Sequence, residues 1–80
     1  MTESEILTAI NDLAQEHLSW NGTLRLEMHL VEDLGLDSVR LLTLTIEIEN
    51  HFRICLDEEA EAEIVTVGDL ARVIRSKRGA

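Results

Sequence analysis

Apolar residues recur through residues 3–18 as Ile6, Ile10, Leu13 and Leu18, with Leu7 and Ala14 beside them, which is the spacing of one helix face. Thr2, with Glu5 three residues on, fits a capping box in which each side chain takes up an amide at the helix start. Asn21-Gly22 then marks a turn. From Thr23 to Leu30 the period drops to two: Leu24, Leu26, Met28 and Leu30 alternate with Thr23, Arg25, Glu27 and His29. Periodicity alone reads as a strand. A strand needs a partner, however, and the candidates are confined to Ile54-Cys55-Leu56 and Ile64-Val65-Thr66-Val67. The segment is therefore expected to be an extended connection that tucks alternate side chains onto helices. Connections of this length without regular structure are usually functional.

The richest pattern lies between Ser38 and Phe52. At about 100° per residue, Leu41, Leu44, Ile48 and Phe52 fall within one arc of about 80°. Val39, Leu42 and Ile46 form a second apolar arc roughly 150° away. Arg40, Thr43, Glu47, Asn50 and His51 fill the remainder. A small chain can bury the first stripe against its neighbours but has little left to cover the second. An uncovered apolar stripe marks a partner surface; the competing reading is that the long connection covers it. Beyond Phe52, residues 57–62 suit a short exposed helix, and Thr66 with Asp69 can start a last helix whose Val67, Leu70, Ala71 and Ile74 face the core. The expectation is an all-α chain of four helices, the third short, forming one domain over residues 1–80.

Composition narrows the class. In 80 residues, 16 acids face 7 basic side chains, a formal net charge of −9. The charge is uneven: residues 1–69 hold all the acids, while Arg72, Arg75, Lys77 and Arg78 make a basic end. An acidic body repels phosphate backbones, so nucleic acid is an unfavourable partner and basic docking patches are favoured. No apolar run approaches the ~18 residues of a spanning helix, and the acidic start is unlike a targeting signal, so no membrane insertion is expected and the setting reads as cytoplasmic. One cysteine excludes an intrachain disulfide. Proline is absent, which suits helices.

Candidate chemistry sits where the long connection meets the amphipathic helix, at Glu32-Asp33-Leu34-Gly35-Leu36-Asp37-Ser38-Val39. Gly35 can take a positive φ and allow a tight turn. Asp37 and Ser38 then fall at the helix start, where a hydroxyl is exposed and an attached phosphate would gain from open amides and the dipole. Asp and Ser are also preferred N-caps, and on spacing alone that role suffices.

The segment Val31 to Val39, followed by the helix ending in Phe52 and by Asp57-Glu58-Glu59-Ala60-Glu61, resembles the acyl carrier proteins over roughly residues 6–76. The resemblance implies a four-helix bundle with a long loop between helices 1 and 2 and a short third helix. It implies that Ser38 receives 4′-phosphopantetheine from coenzyme A through a separate, magnesium-dependent phosphopantetheinyl transferase. Asp37 matches the acidic residue that helps engage the transferase. Acyl groups would ride as thioesters on the arm, delivered to acyl-loading and acyl-processing enzymes at high effective concentration. The chain itself would not be an enzyme. Partners would read the helix after the serine, here through Val39, Arg40, Leu42, Ile46 and Glu47. Arg40, Thr43, Asn50 and His51 stand where fatty-acid carriers of the family are often acidic, leaving Glu47 and Glu49. A fatty-acid role, a specialised-lipid or polyketide role and an aminoacyl or peptidyl carrier all stay open, as does an unmodified helical adaptor.

The remaining signals are weaker. Cys55, between Ile54 and Leu56, reads as core rather than reactive. His17, His29 and His51 lack ligand spacing, and Asp33 and Asp37 lack the other ligands of a calcium loop, so no bound metal is expected. The Ser38 surroundings lack the glycines of a hydrolase elbow. Trp20 is expected to pack at the end of the first helix, and the chain is expected to be a monomer.

Overall fold

The computed structural model describes residues 2–78, with Met1, Gly79 and Ala80, the ends of the expected 1–80 unit, lying outside the described residues. Four helices follow in order among them: α1 (Glu3–Leu18), α2 (Ser38–Phe52), α3 (Glu58–Glu63) and α4 (Val67–Lys77). No helix among the described residues is long and apolar enough to cross a membrane.

The centre is α1, which packs against both α2 and α4. Its start is the expected capping box: Glu5 N–H donates to Thr2 Oγ1 at 3.2 Å while Thr2 N–H donates to Glu5 Oε1 at 3.1 Å. The Thr2 amide holds the Glu5 carboxyl below its ordinary value. Ile6, Ile10 and Ala14 from α1, Leu44 and Ile48 from α2, and Val67, Ala71 and Ile74 from α4 are essentially sealed from solvent. Each large aliphatic buried this way contributes about 1.5–3 kcal/mol. Trp20 is half-buried against this core, as expected.

Residues 19–37 cross the helices as a connection with turns at 26–27 and 30–34. Leu24 and Leu30 are buried, Leu26 and Met28 half-buried, and Thr23, Arg25 and Glu27 exposed. The period of two is therefore real, yet no sheet forms. Among the described residues a single antiparallel bridge joins His29 to Thr66. Around it, Leu30 N–H donates to Val65 O, Val67 N–H to Met28 O and Gly68 N–H to Leu26 O. Pairing stops there because α4 begins at Val67 and removes the extended partner. Gly68 is needed for this approach: a Cβ on it would stand 3.0 Å from Leu26 O.

In α2, Leu44, Ile48 and Phe52 are buried and Leu41 half-buried. The helix ends with Arg53 in the left-handed region at φ 56°. The reading of Cys55 as core is corrected here, for its side chain is exposed. The backbone past Arg53 is extended, so neighbours alternate: Ile54 and Leu56 turn inward and Cys55 outward. Asp57 caps α3, and the Ala60 amide, helped by Lys77 at 3.6 Å, holds its carboxyl low. Within α3, Ala60 is the buried residue. A second capping box, Thr66 with Asp69, starts α4. At the basic end, Arg78 donates to Phe52 O at 3.1 Å and so ties the close of α4 to the close of α2.

Candidate functional site

The start of α2 is built by the turn before it. Asp33 Oδ2 accepts from His29 N–H at 2.7 Å, while the Asp33 and Leu34 amides donate back to His29 O. Gly35 then takes φ +68°, a region other residues enter at a cost, and Leu36 drops into the core with its amide on Leu30 O. That buried leucine fixes where the helix begins. Asp37 is the N-cap, in extended conformation, and its Oδ1 accepts from Arg40 N–H at 2.8 Å. Ser38 becomes the first helical residue, and it is exposed.

Whether the site suits a phosphate-linked group is decided by its open donors. Among the described residues nothing accepts from the Ser38 and Val39 amides, and no partner engages the Ser38 hydroxyl. At the start of α4 the equivalent amides, of Val67 and Gly68, are already taken by carbonyls of the long connection. A phosphodiester on Ser38 Oγ would lie against two unengaged amides at the positive end of a helix dipole, with its far side in water. The residues fit such a group.

Ser38 also stands on the rim of a cleft of about 240 Å³ between α2, α3 and α4. Its walls are mostly aliphatic, Leu30, Leu41, Leu44, Ile64 and Leu70, with Glu61 of α3 also lining it. Sequence reasoning missed this cleft, since Leu30, Ile64 and Leu70 are far apart in the chain and each looks like ordinary core. Thr45 also lines it, but its hydroxyl turns back onto Leu41 O at 2.8 Å and so presents no free polar group.

The second stripe is uncovered. Val39, Leu42 and Ile46 are 72%, 56% and 45% exposed, so the reading in which the long connection shields them fails. Val31 and Val65 are exposed as well. Leu42 lines the cleft, and the other four each follow directly on a lining residue, Leu30, Ser38, Thr45 or Ile64. Of these five exposed apolar side chains, Leu42 therefore lines the cleft and the others are its neighbours along the chain. Arg40 is exposed beside Val39. Glu47 lies elsewhere, half-buried toward α1 with Oε1 3.4 Å from His17 Nε2. Glu49 is turned inward too, its Oε2 accepting from Leu56 N–H at 2.8 Å.

A protein-family model described as a phosphopantetheine attachment site matches residues 5–74. An acyl carrier protein of Prochlorococcus marinus is 34% identical over 80 residues, covering 99% of this chain and all of that protein. One of Wolinella succinogenes is 34% identical over 74 residues, covering 91% of this chain and 97% of its own. The solved structure of an acyl carrier protein from Mycobacterium tuberculosis superposes with a TM-score of 0.82 at 32% identity, over 89% of this chain and 96% of that one.

Proposed function

The chain belongs to the acyl carrier protein family, carriers rather than enzymes that bear covalent 4′-phosphopantetheine, and on that premise we propose that Ser38 is its attachment residue. The observation that carries this is the exposed, unpartnered Ser38 hydroxyl at the first position of α2, beside two open amides. Ser38 Oγ forms a bond to the phosphorus of coenzyme A that bears the pantetheine. The pyrophosphate link breaks, adenosine 3′,5′-bisphosphate leaves, and the hydroxyl proton passes to the transferase. Asp37 holds the geometry of the helix start through Oδ1, which accepts from the Arg40 amide. Once attached, the group supplies a flexible arm ending in a thiol that carries acyl groups as thioesters.

The cargo that suits this chain is apolar, as in fatty-acid, specialised-lipid or polyketide assembly, because the cleft beside Ser38 is walled by leucine and isoleucine. Glu61 also lines the cleft, so an aminoacyl ammonium would meet one carboxylate there, against a wall otherwise of leucine and isoleucine. The cleft is smaller than the ~300–1,000 Å³ of ordinary ligand sites, which favours a short chain over a long one. The exposed Val39, Leu42 and Ile46 stripe, with Leu42 lining the cleft, suits enzymes that dock over cleft and arm together. We further place the chain as a cytoplasmic monomer.

Intact mass after incubation with coenzyme A, magnesium and a broad-specificity phosphopantetheinyl transferase tests the assignment. Wild type gains one phosphopantetheinyl group and Ser38→Ala none. Folded wild type left unchanged by several transferases would point to an unmodified adaptor.

A further inference from the structure

All four helices have an N-cap side chain that bonds the amide three residues on, and the residue at that third position, Ala60 in α3, differs among them. In α1 it is Glu5 and in α4 it is Asp69, each reaching back to close a capping box. In α2 it is Arg40. No acid occupies the first turn of α2, whereas α1, α3 and α4 each carry at least one there. A cation in the first turn opposes the helix dipole, and it cannot return a hydrogen bond to the N-cap amide. Nor does Arg40 recover this by an ion pair: among the described residues no carboxylate oxygen lies within 4 Å of its guanidinium. The nearest acid in sequence, Asp37, faces the Arg40 backbone instead.

Arg40 is the exposed cation at this helix start, set after the exposed acids Glu32, Asp33 and Asp37. Both acids of α2 are engaged inward, Glu47 toward His17 and Glu49 on the Leu56 amide. His51 and Arg53 stand at the opposite end of the helix. An enzyme that reaches Ser38 Oγ has to cover Val39 and Arg40, which share the first turn of α2 with it. We propose that the transferase acting on Ser38 brings a carboxylate to Arg40, beside an apolar surface that covers Val39 and Leu42. This rests on the assignment of Ser38, and it runs against the chain's net charge of −9, which by itself favours a basic partner.

The test is steady-state loading by the phosphopantetheinyl transferase of the source organism, comparing wild type with Arg40→Lys, Arg40→Gln and Arg40→Glu. A charge contact made on docking sets KM rather than kcat. Arg40→Glu raises KM for the carrier on the order of tenfold and Arg40→Gln less, with kcat within about twofold. Arg40→Lys stays near wild type, and added salt raises the KM of wild type more than that of Arg40→Gln. Melting curves of the variants show that none is lost to misfolding; Arg40→Gln melts at or above wild type. An unchanged or lowered KM for Arg40→Glu, with wild type loading normally, overturns the proposal and leaves Ser38 standing. Wild type that takes up no group overturns both.

Discussion

At the start of α4, Thr66 and Asp69 cap each other, and the amides of Val67 and Gly68 are taken by carbonyls of the long connection. At the start of α2, Asp37 caps one amide, two others stay open, and the residues that follow are an exposed serine, an exposed valine and an arginine. The α4 start is closed on itself and buried at Val67; the α2 start is equally well placed but left unfinished on its outer side. Among the described residues the chain closes a capping box at α1 and α4, and at α4 alone it also engages the first two amides. What remains unsatisfied at α2 is a set of donors and an apolar edge that a covalently held anion and a docking enzyme can use.

The contrast is sharpest in substitutions. Ser38→Ala removes loading altogether and leaves the melting temperature nearly unchanged, whereas Thr66→Ala loads normally and loses about 1 kcal/mol of stability. Parallel mass spectrometry and chemical denaturation check the pair. Next comes the face of α2: Leu44→Ala, at a sealed position, costs about 2–5 kcal/mol. Leu42→Ala, at an exposed one, stays within about 0.5 kcal/mol yet slows loading. Equal destabilisation by the two would mean that the stripe is structural.

Acid titration probes the closed starts. Thr66 and Val65 amides hold the Asp69 carboxyl below its ordinary value, as the Thr2 amide does for Glu5 and the Ala60 amide for Asp57. Folded carboxyls of this kind bind protons less readily than unfolded ones. Their stabilisation is complete above the unfolded values and drains as pH falls through the ordinary carboxylate range, about pH 4, toward the depressed ones. Relief of repulsion within the acidic chain acts the other way between pH 7 and about 5. Thermal melts are thus expected to rise slightly and then fall. Asp69→Asn flattens the fall. The smallest effect is Arg40→Gln, which supplies a box residue and removes a misplaced cation, for a gain of a few tenths of a kcal/mol.

Much of this was legible in the sequence because it depends on local order. The bounds of α1 and α2, the capping boxes at Thr2 and Thr66, and the turn at Gly35 each follow from a handful of adjacent residues. The alternation from Thr23 to Leu30 was readable as a burial pattern, but not its pairing, because one bridge to Thr66 depends on where α4 happens to start. Cys55 misled because an apolar triplet in an extended segment must point one member outward. Glu47 was grouped with the docking stripe, and only the packing of α1 shows it turned toward His17. The cleft could not be read at all, since its walls come from four separate stretches of chain.

The central claim, that the open start of α2 is an attachment point, is tested most directly on protein purified from its own cells. Trypsin cleaves after Arg25 and Arg40, and the peptide between, residues 26–40, contains Ser38 as its sole hydroxyl-bearing residue. We predict that this peptide carries one phosphopantetheinyl group, removable with loss of the phosphate ester. An unmodified peptide 26–40 throughout the purified protein, or the same group found on another peptide, would contradict the account.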